Sequence, residues 1–230
     1  MRIAIISDIH GNYPALVNVL EKIDQLKCDG IYSLGDVCGY YCMVNECIEE
    51  LRKRNIVNIL GNHDYYLVYN VNCPRSNSAN DCIKYQRHII SENNYAYIKK
   101  SRKYLYLNDN RISLVHGGWN NFLEEYIENI EHGYFKDLEG SFFLSGHTHI
   151  QQVKTFNDKT YCNPGSVGQP RDGDRRAAFC VIDENKINTF RVEYDIDKIV
   201  FQMEYNGFSD YYYSNLYYGQ KIGYDKQLLQ

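Results

Sequence analysis

Two histidines one residue apart, His147 and His149, close the stretch Ser145-Gly146-His147-Thr148-His149, directly after the apolar run Ser141-Phe142-Phe143-Leu144. Imidazoles on alternate residues leaving a strand can be aimed at two neighbouring points in space, as a pair of metal ions requires. Upstream, Asp8-Ile9-His10, Gly35-Asp36, Gly61-Asn62-His63-Asp64 and His116-Gly117 each follow a short β-like apolar run. Five of the seven histidines therefore fall at the ends of predicted strands.

Asp8, Asp36, Asn62, His10, His116, His147 and His149 mix oxygen and nitrogen donors. Such a set suits manganese, iron or zinc better than magnesium or calcium. Asp36, at the end of the middle strand of its series, is the natural bridge, because a carboxylate has two oxygens and can hold both ions. A bridged pair ~3.5–4 Å apart lowers the pKa of a shared water and clamps the oxygens of a phosphate, which is hydrolysis by a metal-bound hydroxide. Any one of these motifs is a common accident, and a lone histidine at a strand end is more often a hydrogen-bonded structural residue. All five in order, each after a strand, argue for the metal site.

The elements that must position these residues follow from periodicity. Residues 2–6 are a β-branched apolar run ending at Ser7-Asp8, which reads as a buried strand. A helix follows over 14–26, with Pro14 in its first turn and Leu16, Val19, Leu20, Ile23 and Leu26 on one face. Strands at 31–34 and 56–60 enclose a helix over 44–54, and this β-α-β-α-β order implies a parallel sheet whose strand ends carry the site. Residues 65–110 form an insertion that opens polar and asparagine-rich, with helices expected over 79–90 and 93–100 and a lid or pocket wall as its favoured role. From Arg111 the pattern turns β-rich, with strands at 112–115, 142–144, 152–156, 160–162, 177–182 and 187–192, a helix over 122–130, and a turn-rich loop from Asn163 to Gly168. The two halves read as two facing sheets with helices outside. After residue 194 comes a tail with Ile196, Ile199, Val200 and Met203 at helical spacing and a second helical piece over 208–218, expected to pack on the body.

Composition narrows the class. The 230 residues suit one domain with a small appendage. A net charge of −4 and a pI near 6.0 argue against a nucleic-acid partner. Residues 1–6 meet Ser7-Asp8 too soon for a signal peptide, and no run approaches the ~18 apolar residues of a membrane span. A cytoplasmic protein is expected, with its eight cysteines reduced and without zinc-finger spacing.

The series D-x-H, G-D, G-N-H-D, H-G and G-H-T-H resembles the calcineurin-like metallophosphoesterase superfamily. Ser7-Asp8-Ile9-His10-Gly11-Asn12, Gly35-Asp36-Val37-Cys38-Gly39-Tyr40 and the run from Asn163 to Gly173 are similar to its branch of small prokaryotic predicted phosphoesterases. The resemblance implies an α/β (α+β) fold, a four-layer αββα sandwich of two mixed sheets, over 1–194. It places one metal on Asp8, His10, Asp36 and His149 and the other on Asp36, Asn62, His116 and His147, both divalent, with manganese favoured over iron or zinc. It gives His63 the place facing the leaving group, as proton donor or charge stabiliser, with Asp64 orienting it. Arg171, or the backbone of Gly165 to Gly168, is a candidate phosphate contact, with a structural loop as the equal alternative. The implied activity is hydrolysis of a small-molecule phosphoester, a phosphodiester or nucleotide-type substrate being favoured over a phosphomonoester or a dinucleoside polyphosphate. The arginine that follows the second motif in protein phosphatases is missing here, and Gly118-Trp119-Asn120-Asn121 replaces the usual small and proline-rich residues after His116. A non-catalytic scaffold on the same fold is the contrasting class, disfavoured because the motifs are intact; a homo-oligomer is left open.

Overall fold

The computed structural model describes residues 1–128 and 130–224. Asn129 and residues 225–230, parts of the expected 122–130 helix and of the tail, lie outside the described residues.

The first sheet runs β10(Lys186–Val192), β9(Ala177–Asp183), β1(Arg2–Ile6), β2(Gly30–Ser33), β3(Val57–Asn58). The second runs β4(Tyr104–Leu107), β5(Ile112–Val115), β6(Phe142–Leu144), β8(Lys159–Asn163), β7(Gln152–Phe156). In each, three adjacent strands are parallel, β1-β2-β3 and β5-β6-β8, and the strands outside them pair antiparallel. Both sheets are therefore mixed, and the carboxyl ends of their parallel strands are where loops can meet.

Alternation along the strands divides the core. Ile3 and Ile5 of β1, Ile112 and Leu114 of β5, and Leu144 of β6 pack between the sheets, with Cys162 and Cys180. Ala4 and Ile6 point the other way, onto α1(Tyr13–Gln25), α2(Val44–Lys53) and α6(Ile196–Tyr205). Helix α1 starts where Asn12 accepts the Ala15 N–H at 3.3 Å and buries Leu16, Val19, Leu20 and Ile23. Two helices of the insertion, α4(Asn77–Ile89) and α5(Glu92–Lys99), are capped by Ser76 and Ser91.

Four elements depart from expectation, one of them strand β4, which lies inside the 65–110 insertion where only helices are expected. Residues following Gly61 are helical, α3(Asn62–Tyr69), rather than the start of a polar loop. Over the described residues 122–128 the expected helix does not form: the Asn121 side chain takes the N–H groups of Leu123 and Glu124, and Glu125 turns back on Asn120 and Asn121. These local bonds compete with the helical pattern. The outer face of the second sheet, Phe143 and Tyr161, is instead covered by Ile127, Ile130 and a 3₁₀ turn, His132–Phe135. In the tail, 208–218 holds two short 3₁₀ turns, Asp210–Tyr212 and Ser214–Tyr218, in place of a helix. The sandwich of two facing mixed sheets flanked by helices stands.

Candidate metal centre

Every sequence-predicted donor lies at the carboxyl end of a parallel strand: Asp8 and His10 after β1, Asp36 after β2, Asn62 after β3, His116 after β5, His147 and His149 after β6. Nine residues, these seven with His63 and Asp64, are brought together and each is at most 5 % exposed. Backbone bonds zip the first two loops, Asp8 N–H to the Gly35 carbonyl at 3.0 Å and His10 N–H to the Asp36 carbonyl at 2.9 Å. Asp8, His10, Asp36, His147 and His149 all have left-handed backbone, φ between 52° and 67°. Non-glycine residues rarely adopt it, and such strain collects at functional sites.

Donor atoms fall into overlapping groups within 4.8 Å: Asp8, His10 and His149; Asp36, His116 and His147; and His10, Asp36 and His63. Their orientation is fixed from behind. His10 Nδ1 lies 2.8 Å from the Cys38 carbonyl, His149 Nδ1 2.7 Å from the Gln169 carbonyl, and His116 Nδ1 2.9 Å from the Leu34 carbonyl. A carbonyl only accepts, so each Nδ1 carries a proton; the neutral rings of His10 and His149 present an Nε2 lone pair to the site, and His116 does so once its Nε2 proton is released. Burial holds His10 and His149 well below the ordinary histidine pKa, so both rings are neutral.

The residues fit a metal. Two lone pairs, His10 Nε2 and His149 Nε2, face each other at 3.1 Å, an arrangement that repels unless a cation lies beside both. Asp36 Oδ2 and His147 Nε2 are buried without a hydrogen-bond partner. Asp36 Oδ1 accepts the His63 N–H at the start of α3 at 2.9 Å, leaving Oδ2 3.8 Å from His10 Nε2 and 3.4 Å from His116 Nε2. Burial would raise Asp36, yet His116, His63 and His10 hold it well below the carboxylate range. Burial would likewise lower His116, but Asp36 and Asp8 push it up to about 9. The centre is built to hold positive charge. Asn62 contributes its Oδ1, 3.0 Å from His116 Nε2.

Small residues make room. A Cβ on Gly39, where φ is +132°, would lie 2.3 Å from His10 Nδ1, and one on Gly61 2.0 Å from Asp36 Oδ1. The Asn163 amide bonds the Gly146 carbonyl and Thr148 hydroxyl at 2.6 and 3.0 Å, fixing the loop that carries His147 and His149.

Asp64 is placed differently from expectation. Its carboxylate does not meet His63; it accepts from the N–H groups of Asp36, Cys38 and Gly61 and from the Asn58 amide. As the third residue of α3 it is turned to the helix start and the second loop, while the neighbouring His63 ring points into the cavity, its Nδ1 unpartnered. Cys38 approaches the centre through its carbonyl, and its thiol is a free buried one like most of the eight. Arg171 bonds Gln169 Oε1 through Nε and Nη2 at 3.0 and 2.6 Å and lies over the Tyr40 ring at 5.4 Å.

The centre opens into a cavity of ≈ 420 Å³. Arg75 and Lys221 also line it, with Tyr126 and Tyr211, none of which sequence reading placed at the site. Arg75 belongs to the polar opening of the insertion and Lys221 to the tail, so no motif or periodicity marks them.

A fold of two mixed sheets with a histidine- and aspartate-rich centre at the parallel strand ends defines a metallophosphoesterase. The sequence matches the calcineurin-like phosphoesterase superfamily domain over residues 1–186, and the chain belongs to that superfamily. It is 32 % identical over 238 residues to the uncharacterized protein MJ0912 of Methanocaldococcus jannaschii, covering 95 % of this chain and 98 % of that protein. Among solved structures it is similar to a metallophosphoesterase from Sphaerobacter thermophilus, with TM-score 0.82, 28 % identity and coverage of 95 % of this chain and 100 % of that one. It shares its fold with the hypothetical protein PH1004 from Pyrococcus horikoshii OT3, with TM-score 0.83, 24 % identity and coverage of 96 % and 99 %. The protein is thus a hydrolase of a metal-dependent phosphoesterase family. Among the described residues no helix is long and apolar enough to cross a membrane.

Proposed function

We propose that the centre holds two divalent ions and hydrolyses a phosphodiester of nucleotide type. The observation that carries this is Asp36 Oδ2, buried, without a hydrogen-bond partner and facing the donor nitrogens of both groups, His10 on one side and His116 on the other. Asp8 and His149 complete the first set with His10, and Asn62 and His147 the second with His116. The nitrogen and oxygen donors suit manganese first, with iron or zinc as the alternatives. A pair of ions supplies Lewis acidity toward water and toward the phosphate oxygens.

The chain's own residues do the rest. Carbonyls of Cys38, Gln169 and Leu34 keep three donor rings in one tautomer, and the start of α3 holds Asp36 by one oxygen so that the other stays inward. His63, on the cavity wall, takes the place beside the leaving group, donating a proton or hydrogen bond to its oxygen. Arg171 stands ready to contact phosphate from the Tyr40 side. The reading treats 1–194 as one phosphoesterase domain with the 65–110 insertion walling the cavity, followed by a tail packed on it. The free cysteines fit a reducing cytoplasm.

The test is hydrolysis of a generic aryl phosphodiester and the matching monoester by metal-stripped protein, with manganese, iron, zinc, magnesium or nothing restored. Diester turnover returning with two equivalents of manganese, and absent in Asp36→Asn, is the expected result. Wild-type rates in metal-loaded Asp36→Asn overturn the assignment.

A further inference from the structure

The cavity over the centre carries more positive charge than one phosphoryl group requires. Two divalent ions less the charges of Asp8 and Asp36 leave enough to balance a phosphodiester or a monoester. Three further cationic side chains line the same cavity, Arg171, Arg75 and Lys221, of which Arg75 is ion-paired to Glu124, so that Arg171 and Lys221 supply the surplus charge.

They are not equivalent. Arg171 is held by Gln169 and stacked on Tyr40, whose ring lies 4.9 Å from that of His63, so it belongs to the reacting end. Arg75 stands on the opposite flank. Its guanidinium lies 4.9 Å from the centre of the Tyr126 ring, which itself lies 4.2 Å from the His147 ring, so the cation is within about 9 Å of that ring. A second or third phosphate of a chain spans that separation when the first lies over the donor groups. Glu124 takes one nitrogen of Arg75, which leaves the remaining donors of the fork for an anion. Lys221 reaches the cavity from the far end of the chain, and among the described residues its ammonium has no hydrogen-bond or ion-pair partner. Tyr211, 51 % exposed, offers a ring at the same cavity on which a nucleobase can stack, while the Tyr126 ring is packed against Arg75 and His147.

We propose that Arg75 and Lys221 form a subsite for a second, non-reacting phosphate, so that the substrate is a nucleotide whose phosphates are joined in a chain of two or more. This rests on the phosphoesterase reading above. The reaction adds one water across one P–O bond: the hydroxyl joins phosphorus, and the remaining proton goes to the oxygen that departs.

Two measurements test it. The first is calorimetric binding of the methylene-bridged analogue of adenosine diphosphate, which resists hydrolysis, with inorganic phosphate as the comparison. Arg75→Gln with Lys221→Glu weakens the analogue by at least about ten-fold more than it weakens inorganic phosphate, since a hydrogen bond to a charged group is worth about 1.5–3 kcal/mol. The second is kcat/KM, in which the loss on adenosine diphosphate exceeds the loss on the aryl diester by at least about ten-fold, on the same grounds. Lys221→Glu alone, at an exposed position, repeats the effect in part and guards against misfolding of the double variant. Equal losses on both ligands, or no loss, overturn the subsite. Native protein inactive on every ester with every metal overturns the phosphoesterase reading instead, and the calorimetric comparison still decides the subsite.

Discussion

Replacing Asp64 by asparagine separates a clamp from a catalyst. Oδ2 of Asp64 accepts the Asp36 N–H at 3.0 Å, the Asn58 amide at 3.2 Å and the Gly61 N–H at 3.3 Å, while Oδ1 accepts the Cys38 N–H at 3.0 Å. An amide has a single acceptor oxygen, so in either orientation its NH₂ faces a donor. With the oxygen turned to the three donors, the Cys38 N–H is buried and unmatched, which costs about 1–3 kcal/mol. The other three bonds lose their ionic share, about 1 kcal/mol each, since charge-assisted bonds are roughly twice as strong as neutral ones. Against this, asparagine has no charge to bury, and burial already raises the Asp64 pKa, Asp36 adding to the effect. These costs total about 4–6 kcal/mol; relief of the buried carboxylate, roughly 2–3 kcal/mol, leaves a net loss of about 1–4 kcal/mol, a large share of the ~5–15 kcal/mol that holds a domain. Urea unfolding with a chelator present reads this without the contribution of bound metal. Metal-loaded Asp64→Asn turns over more slowly, because the Asp36 loop shifts, and its pH–rate profile keeps its shape. Full stability combined with a displaced profile would show that Asp64 acts on His63 directly, and would refute the clamp.

His63→Ala lowers kcat by about 100-fold or more, the usual worth of a positioned proton donor, with metal content by elemental analysis unchanged; loss of metal would place His63 in the group it forms with His10 and Asp36. Gly39→Ala drives a methyl into His10 Nδ1 and breaks its bond to Cys38, so metal affinity by competition with a chelator falls by about 10–100-fold, and an unchanged affinity would refute the fixed tautomer. Asp174, forked to Arg176, has its pKa lowered to about 2. Its stabilisation is present above the unfolded carboxylate value of ~3.9 and is lost as pH falls toward the folded one; solvent screening keeps it at or below about 0.5 kcal/mol. The gap in urea midpoint between native protein and Asp174→Asn therefore narrows from pH 7 to about pH 3, and a gap that widens would refute the sign.

Where donors followed a short apolar run, the sequence was readable: the strands before Asp8, Asp36, His116 and His147 are where the pattern put them, and the structure gathers their donors. Helix α3 was hidden because it is buried nearly all round, so Tyr66, Leu67 and Val68 show no polar face and no helical stripe. Strand β4 does carry a signal, the alternation Tyr104-Leu105-Tyr106-Leu107, masked by its place at the end of the insertion. Residues 122–130 failed the other way: their spacing is helical, but Asn121 and Glu125 satisfy the backbone locally first. Asp64 was misdirected because adjacency to His63 suggests contact, whereas neighbours at a helix start point apart. Arg75 and Lys221 share a cavity only through the path of the whole chain, which no local pattern records.

The two outer faces of the sandwich are clad unequally. Packed helices cover the first sheet, while the second rests under turns and one 3₁₀ segment. Segments with few backbone bonds of their own open at a small fraction of the global unfolding energy. Among the described residues, amide exchange should therefore run faster over 117–128 than in β1 and β9, and Tyr126 and Glu124 lie inside that faster region, beside the centre. Opening of that segment would move Tyr126, a residue of the cavity wall, so substrate entry and product escape are expected to couple to local unfolding on this side.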